Sequence, residues 1–197
     1  KRSNDLVFIS QWRKKNYLKI KMNLSIVLKV LNKFAKKCNL NFKILPSSFI
    51  TSTEFEEEVK FYKNYFNEIN KNYFLEKNNL YDSYNYTESS KLIVNYSSSL
   101  GFEMYGVGVK TLFLGCSSDY KNEANYPFKE CFGKLNSINK IKKINNEELQ
   151  LKLFDLLKLN TDEYLNITKN DRSYYYTKNK FYVHEIIKDR ISKFITN

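Results

Sequence analysis

The sequence has few of the residues that mark a disulfide scaffold, a metal site or a fibrous chain. Its 197 residues include three cysteines, one histidine, five glycines and two prolines. An odd number of cysteines with no CxxC spacing predicts neither a disulfide framework nor a zinc site, so a reducing cytosol is the expected compartment. Little glycine and proline, with 42% hydrophobic residues, excludes a collagen-like or disordered chain.

Long hydrophobic runs are also missing. No stretch reaches the roughly 18 consecutive apolar residues that a membrane helix needs, because polar and charged side chains interrupt even the most apolar window, 91–115. We therefore expect a soluble, cytoplasmic domain. The chain opens on Lys1 without the apolar run and small-residue cleavage site of a signal peptide, so we expect a segment cut from a longer protein.

Basic residues are in excess, with 33 Lys and Arg against 21 Asp and Glu and a net charge of +12. A field of this sign would attract phosphorylated, nucleic-acid or anionic-glycan ligands, and also an anionic membrane surface on the cytoplasmic face. The basic residues are scattered, which a lysine-rich codon bias would also produce. The charge therefore indicates an anionic ligand without specifying one.

Apolar periodicity predicts strands that alternate with helices. The predicted strands are 6–9, 42–45, 73–75, 91–95 and 110–114; the predicted helices are 24–38, 54–69 with Thr53 as N-cap, 81–90, 100–105, 147–158 and 183–195; a loop is predicted over 116–139. The acidic first turn at 54–58 suits the positive end of a helix dipole. This alternation predicts an α/β, Rossmann-like three-layer domain with a mostly parallel sheet. We expect one domain over 1–197, with a core over 1–158 and a helical extension over 159–197.

The segment after the strand at 91–95 carries the candidate chemistry. Ser97, Ser98 and Ser99 follow that strand, at the carboxyl edge where parallel sheets bind ligands. Hydroxyls and backbone N–H groups at a helix start suit an anion, and Gly101 would let a phosphate approach the backbone. Glu103, inside the helix, could accept hydrogen bonds from two ribose hydroxyls. The pattern predicts a nucleotide site.

The run LIVNYSSSLGFEMYGVGVKTLFL, residues 92–114, resembles the donor-binding segment in the C-terminal half of GT-B glycosyltransferases of the surface-polysaccharide type. Similar segments occur in sugar-nucleotide 2-epimerases and in glycerophosphotransferases. The resemblance also takes in FISQWR at 8–13 and the Glu-Glu-x-x-Phe-Tyr run at 57–62. Met104 and Val107 depart from the family pattern, in which Ala and a basic residue are common.

The resemblance implies one half of a GT-B architecture, namely the half that binds a nucleotide-sugar donor, with the N-terminal acceptor domain outside this chain. The implied residues are Ser97, Ser98, Ser99, Leu100, Gly101, Gln11 and Arg13 for the donor phosphates, Glu103 for the ribose, and Phe74, Leu75 and Glu76 for the base. The implied reaction transfers the sugar to a growing cell-surface glycan. The general base is typically on the other domain, so no catalytic residue is assigned.

Acidic residues show no DxD-like metal motif, so we expect metal-independent donor binding and no cofactor. A 2-epimerase or a glycerophosphotransferase of the same architecture is the alternative enzyme. A basic RNA-binding or scaffolding module, indicated by the charge and the 16 tyrosines, is the alternative of another class. Clustered aromatics such as Tyr174–Tyr176 more often pack as core or interface, so nucleic acid is not the expected partner. His184 is expected to be structural.

Overall fold

The computed structural model describes residues 2–12, 21–96, 98–114, 129–141 and 144–175. Arg13 and Ser97, two of the expected phosphate-binding residues, lie outside the described residues, as does the helix predicted over 183–195 with its His184. Within the described ranges, no helix combines the length and the apolar character needed to cross a membrane.

A parallel sheet of five strands forms the centre of the described fold. The strands are β1 (Asp5–Ile9), β2 (Asn41–Leu45), β3 (Leu92–Asn95), β4 (Thr111–Leu114) and β5 (Lys140–Ile141), in the order β2-β1-β3-β4-β5. Val7 of β1 lies opposite Lys43 on one side and Ile93 on the other. The strand order reverses direction at β1, and in such sheets ligands bind outside the carboxyl ends of the strands at this point. The prediction of a parallel, Rossmann-like α/β fold is confirmed.

Helices cover both faces of the sheet. They are α1 (Lys21–Lys37), α2 (Thr53–Tyr65), α3 (Leu80–Ser89), α4 (Ser99–Gly106), α5 (Lys129–Lys134), α6 (Asn146–Lys158), α7 (Thr161–Ile167) and α8 (Lys169–Arg172). Alternate strand residues point to opposite faces: Leu6 and Phe8 pack in the cluster that includes α1 and α6, whereas Val7 and Ile9 pack with Met104 of α4. This two-sided burial explains why β1 is a continuous apolar run.

Helix α1 has one apolar stripe and ends in a recognisable cap. Between Leu24 and Ala35 the apolar residues recur at three- and four-residue spacing and all but Ile26 are buried, whereas Lys29 and Lys33 on the other side are exposed. After the last turn, Asn39 has a positive φ of 52°, and the Leu40 N–H donates to the Ala35 carbonyl at 2.9 Å. This is the Schellman arrangement, which satisfies carbonyls at the helix end and turns the chain into β2.

The prediction of a strand at 73–75 is wrong. A 3-10 turn covers Lys71–Tyr73, because the Asn70 side chain accepts a hydrogen bond from the Asn72 N–H at 2.9 Å and caps the turn. Only an isolated parallel bridge from Phe74 to Ile44 of β2 follows. The aromatic residue Phe74 is buried in the core beside the outer edge of the sheet, but the segment does not form a full strand.

Several boundaries also differ from the prediction. Helix α2 has Ser52 rather than Thr53 at its N-cap and ends at Tyr65, since the chain turns extended at Phe66. The predicted loop over 116–139 contains α5 and a 3-10 turn at Ser137–Asn139, and β5 follows directly. These elements are too short to produce an apolar period in the sequence.

Candidate functional site

Three loops leave neighbouring strands at the carboxyl edge of the sheet. They follow β1, β2 and β3, which lie side by side. The loop after β3 leads directly into α4, so its residues and the start of that helix occupy the position at which nucleotides bind in doubly wound folds.

The turn between β3 and α4 is held by Asn95. This side chain is fully buried; its Oδ1 accepts a hydrogen bond from the Ser98 N–H at 3.0 Å, and its Nδ2 donates to the Ser98 carbonyl at 3.1 Å. Ser98 is the N-cap of α4, but its hydroxyl makes no capping hydrogen bond. Ser99 is exposed in the first turn. Both hydroxyls therefore lie at a helix start without a capping role.

Gly101 faces Asn95, which gives a packing reason for a glycine at this position. A β-carbon at Gly101 would lie 2.7 Å from the β-carbon of Asn95, closer than real side chains approach. The Gly101 N–H, expected to bind a phosphate, donates to the Ser98 carbonyl at 3.1 Å. The missing side chain thus leaves room for the Asn95 side chain.

Glu103 is exposed on α4 and has a partner that the sequence did not reveal. The Tyr84 hydroxyl, from the neighbouring helix α3, donates to Glu103 Oε2 at 2.8 Å. Burial, together with this hydrogen bond to the carboxylate, raises the pKa of Tyr84 to about 12. The two residues are separated by β3 in the sequence, and only the packing of α3 against α4 brings them together.

The residues expected to receive the base line a different part of the surface. Phe74 is 5% exposed and packs edge-on against Phe55 and Tyr62, with ring centroids 5.6 and 5.9 Å apart. Leu75 is half-buried, and Glu76 is exposed, with its carbonyl accepting a hydrogen bond from the Tyr86 hydroxyl at 2.8 Å.

All three line a cleft of about 580 Å³ beside the outer edge of β2, whose other lining residues include Lys43, Lys71, Glu56 and Tyr86. The described lining of this cleft contains neither Ser98 nor Glu103. The structure therefore does not bring the expected base-binding and phosphate-binding residues into one cleft.

A buried carboxylate joins the loops after β1 and β2. Glu58 of α2 is fully buried, and its Oε1 accepts hydrogen bonds from the Ser10 hydroxyl and, at 3.0 Å, from the Ser47 N–H. Its Oε2 accepts from the Ser48 N–H and lies near the Ser47 hydroxyl, both at 3.1 Å. These donors satisfy both oxygens, which is what a buried charge requires.

Ser10 holds the loop after β1 in place. Its oxygen accepts hydrogen bonds from the Tyr62 hydroxyl at 2.8 Å and from the Trp12 N–H at 3.2 Å. Burial and the nearby Glu58 raise the pKa of Tyr62, so the phenol stays a donor. Gln11, expected to bind a donor phosphate, is half-buried, and its amide nitrogen lies 3.4 Å from the Ser10 carbonyl oxygen.

Lys77 holds the loop after β2 in place. Its ammonium is buried, donates to the carbonyls of Pro46 and Ser47 at 3.1 and 2.7 Å, and lies 5.0 Å from the centroid of the Phe49 ring. Burial lowers the pKa of Lys77, and the Glu58 carboxylate partly offsets this. Neither Glu58 nor Lys77 was predicted from the sequence as a residue that shapes this edge.

A family model described as "putative O-antigen biosynthesis protein" matches residues 1–133. The chain belongs to this family. The expected relation to surface-polysaccharide biosynthesis is thereby confirmed, since O-antigen is such a polysaccharide. Comparison with curated proteins finds no match.

Among solved structures, this O-antigen family member is similar to a "putative UDP-N-acetylglucosamine 2-epimerase" from Listeria monocytogenes. The identity is 16% and the TM-score 0.49; the match covers 85% of this chain and 40% of the other. The chain thus spans less than half the length of that protein.

The range matched to the O-antigen family includes every candidate residue named above, whereas α6, α7 and α8 lie beyond it. In the part of the chain that the structure describes, no three His, Cys, Asp or Glu side chains come together in a way that could hold a metal ion.

Proposed function

We propose that this chain binds the nucleotide-sugar donor of a glycosyltransferase that extends a surface glycan. The observation that carries the proposal is the start of α4, where Ser98 and Ser99 present hydroxyls at the carboxyl end of β3 and Glu103 lies exposed further along the helix. Membership of an O-antigen biosynthesis family supports a sugar substrate.

The roles follow from the charges that a nucleotide diphosphate carries. The hydroxyls of Ser98 and Ser99, the Leu100 N–H and the positive end of α4 would hold the phosphates. The carboxylate of Glu103 would accept hydrogen bonds from the ribose hydroxyls. Arg13, which follows β1 in the sequence, would add a cation, since a guanidinium can bind phosphate in a bidentate manner.

In the proposed reaction the bond between the anomeric carbon of the sugar and the diphosphate breaks, and a bond to an acceptor hydroxyl forms. Negative charge grows on the leaving diphosphate, where fixed dipoles and cations stabilise it best. A base outside this donor site would take the proton of the acceptor. We also propose that donor binding needs no metal ion, because hydroxyl and N–H donors and the Arg13 guanidinium would stabilise the charge of the phosphates.

Nucleotide titration tests the proposal. The chain would be titrated with UDP, CDP, GDP and CMP, with and without EDTA, by calorimetry and by fluorescence of Trp12, the single tryptophan, which lies in the loop after β1. We expect one nucleotide to bind, to bind equally with EDTA, and to be weakened about ten-fold or more by Glu103→Ala, because the ribose contact is lost.

Glu88→Ala is the matched control, since Glu88 is an exposed acid on α3. Absence of binding to all four nucleotides, or equal binding by the Glu103 and Glu88 variants, would refute the proposal. If the full-length protein converts a nucleotide-sugar to a rearranged free sugar without any acceptor, the donor site serves an epimerase instead.

A further inference from the structure

Glu103 is an exposed side chain that is nonetheless held in place. An exposed glutamate on a helix samples many rotamers, and a ligand that needs one of them must offset the entropy lost on binding. Here the Tyr84 hydroxyl donates to Oε2 at 2.8 Å. Tyr84 is itself 43% exposed, so the pair lies at the surface, where a ligand could reach it.

Tyr84 is well suited to hold a carboxylate. Its side chain has only two rotatable bonds and therefore loses little entropy when it is fixed. Because its pKa is raised to about 12, the phenol remains protonated and keeps donating at any physiological pH. The hydrogen bond thus persists over the whole range in which a nucleotide would bind.

The hydrogen-bond acceptor positions of Glu103 that Tyr84 does not use indicate what kind of ligand it can bind. An ionised carboxylate has about four acceptor positions on its two oxygens, and Tyr84 takes one on Oε2. The others can accept two hydrogen bonds from neighbouring donors on one ligand. The two adjacent hydroxyls of a ribose can donate both of these hydrogen bonds, whereas a 2′-deoxyribose has only one hydroxyl at this position.

We propose that Tyr84 is a positioning residue for Glu103, and that the Tyr84–Glu103 pair selects a ligand with two adjacent hydroxyls, favouring ribonucleotides over 2′-deoxyribonucleotides. This inference rests on the proposed function, because it assigns the sugar specificity of the same donor site.

The test compares Tyr84→Phe with wild type on UDP, CDP, GDP and CMP and on their 2′-deoxy counterparts. The variant keeps the ring and loses only the hydroxyl. We expect it to weaken ribonucleotide binding about three- to ten-fold and 2′-deoxynucleotide binding less than about two-fold. Tyr81→Phe is the control, since Tyr81 is on the same helix and 79% exposed; it should bind both classes like wild type.

Each other outcome overturns the inference in a distinguishable way. Unchanged ribonucleotide binding by Tyr84→Phe, alongside a loss in Glu103→Ala, leaves the proposed function intact and removes the positioning role. Tighter binding means that the phenol competes with the ligand. An equal loss for ribo and 2′-deoxy forms means a structural effect only, and thermal unfolding of the variant would confirm it. If wild type binds no nucleotide, both this inference and the proposed function fail.

Discussion

The side chain of Asn95 occupies the space beside the α-carbon of Gly101. A β-carbon at Gly101 would lie 2.7 Å from that of Asn95, whose amide holds Ser98 in place through two hydrogen bonds. The glycine and the asparagine therefore form a single unit that sets the direction in which α4 leaves the sheet.

Replacing Gly101 by alanine should destabilise the protein by about 1–3 kcal/mol, because an added methyl in a packed site forces its neighbours to shift. Urea unfolding followed by circular dichroism measures the change. Gly133→Ala is the matched control: no atom of the described residues lies within 4 Å of its added β-carbon, and alanine favours the helix α5. Equal midpoints for the two variants would show that Asn95 does not constrain Gly101.

Replacing Glu58 by glutamine should cost about 2–4 kcal/mol of unfolding free energy. In the wild-type protein the backbone N–H groups of Ser47 and Ser48 donate to the two oxygens of the Glu58 carboxylate. In the variant the amide NH2 group would face one of these N–H groups, so buried donors would be left unpaired. Chemical denaturation provides the measurement. Glu88→Gln, on an exposed face, should change stability by less than about 0.5 kcal/mol. A similarly small effect of Glu58→Gln would contradict the observed network.

Lys110 should make stability rise with pH in the alkaline range. It is 4% exposed and donates to the Leu159 carbonyl, and burial, with the charges of Lys91 and Arg2, lowers its pKa from 10.5 to about 8. Between these two values the unfolded chain binds a proton that the folded protein does not. Lys110 therefore makes the free energy of unfolding increase from about pH 8 towards pH 10.5. Below pH 8 the destabilisation caused by burying the charged ammonium is present in full.

Lys110→Met removes that dependence. The unfolding free energy of wild type minus that of the variant should increase by about 2 kcal/mol between pH 8 and 10. The difference is the appropriate measure because buried tyrosines with raised pKa values, such as Tyr164, lower stability of both proteins at high pH. Parallel stability curves for the two proteins would rule out the lowered pKa of Lys110.

Sequence patterns predicted the elements that are long or buried on both faces. The apolar runs at β1 and β3 and the periodic stripe of α1 lie where they were expected, because burial imposes a pattern on every residue of these segments. Their alternation also predicted the parallel sheet. Short elements such as α5 and β5, with six and two residues, impose no such pattern.

The sequence suggested candidate site residues only where they lie close together along the chain. Ser98, Ser99, Gly101 and Glu103 lie within one strand-turn-helix unit. Glu58, by contrast, resembled a further member of an acidic first turn, and its burial depends on two loops that close over it from β1 and β2. Tyr84 acquires its role only when α3 packs against α4.

Strand β2 is the last strand on its side of the described sheet, so its outer backbone groups could template pairing with another polypeptide. The segment after the 3-10 turn covers part of that border: the Leu75 N–H bonds to the Ile44 carbonyl, and Lys43 reaches out from the strand to the Asn72 carbonyl. A charged side chain and a short pairing partner from the same molecule both discourage intermolecular sheet extension. This border of the described sheet is therefore a poor template for pairing with a strand of another polypeptide.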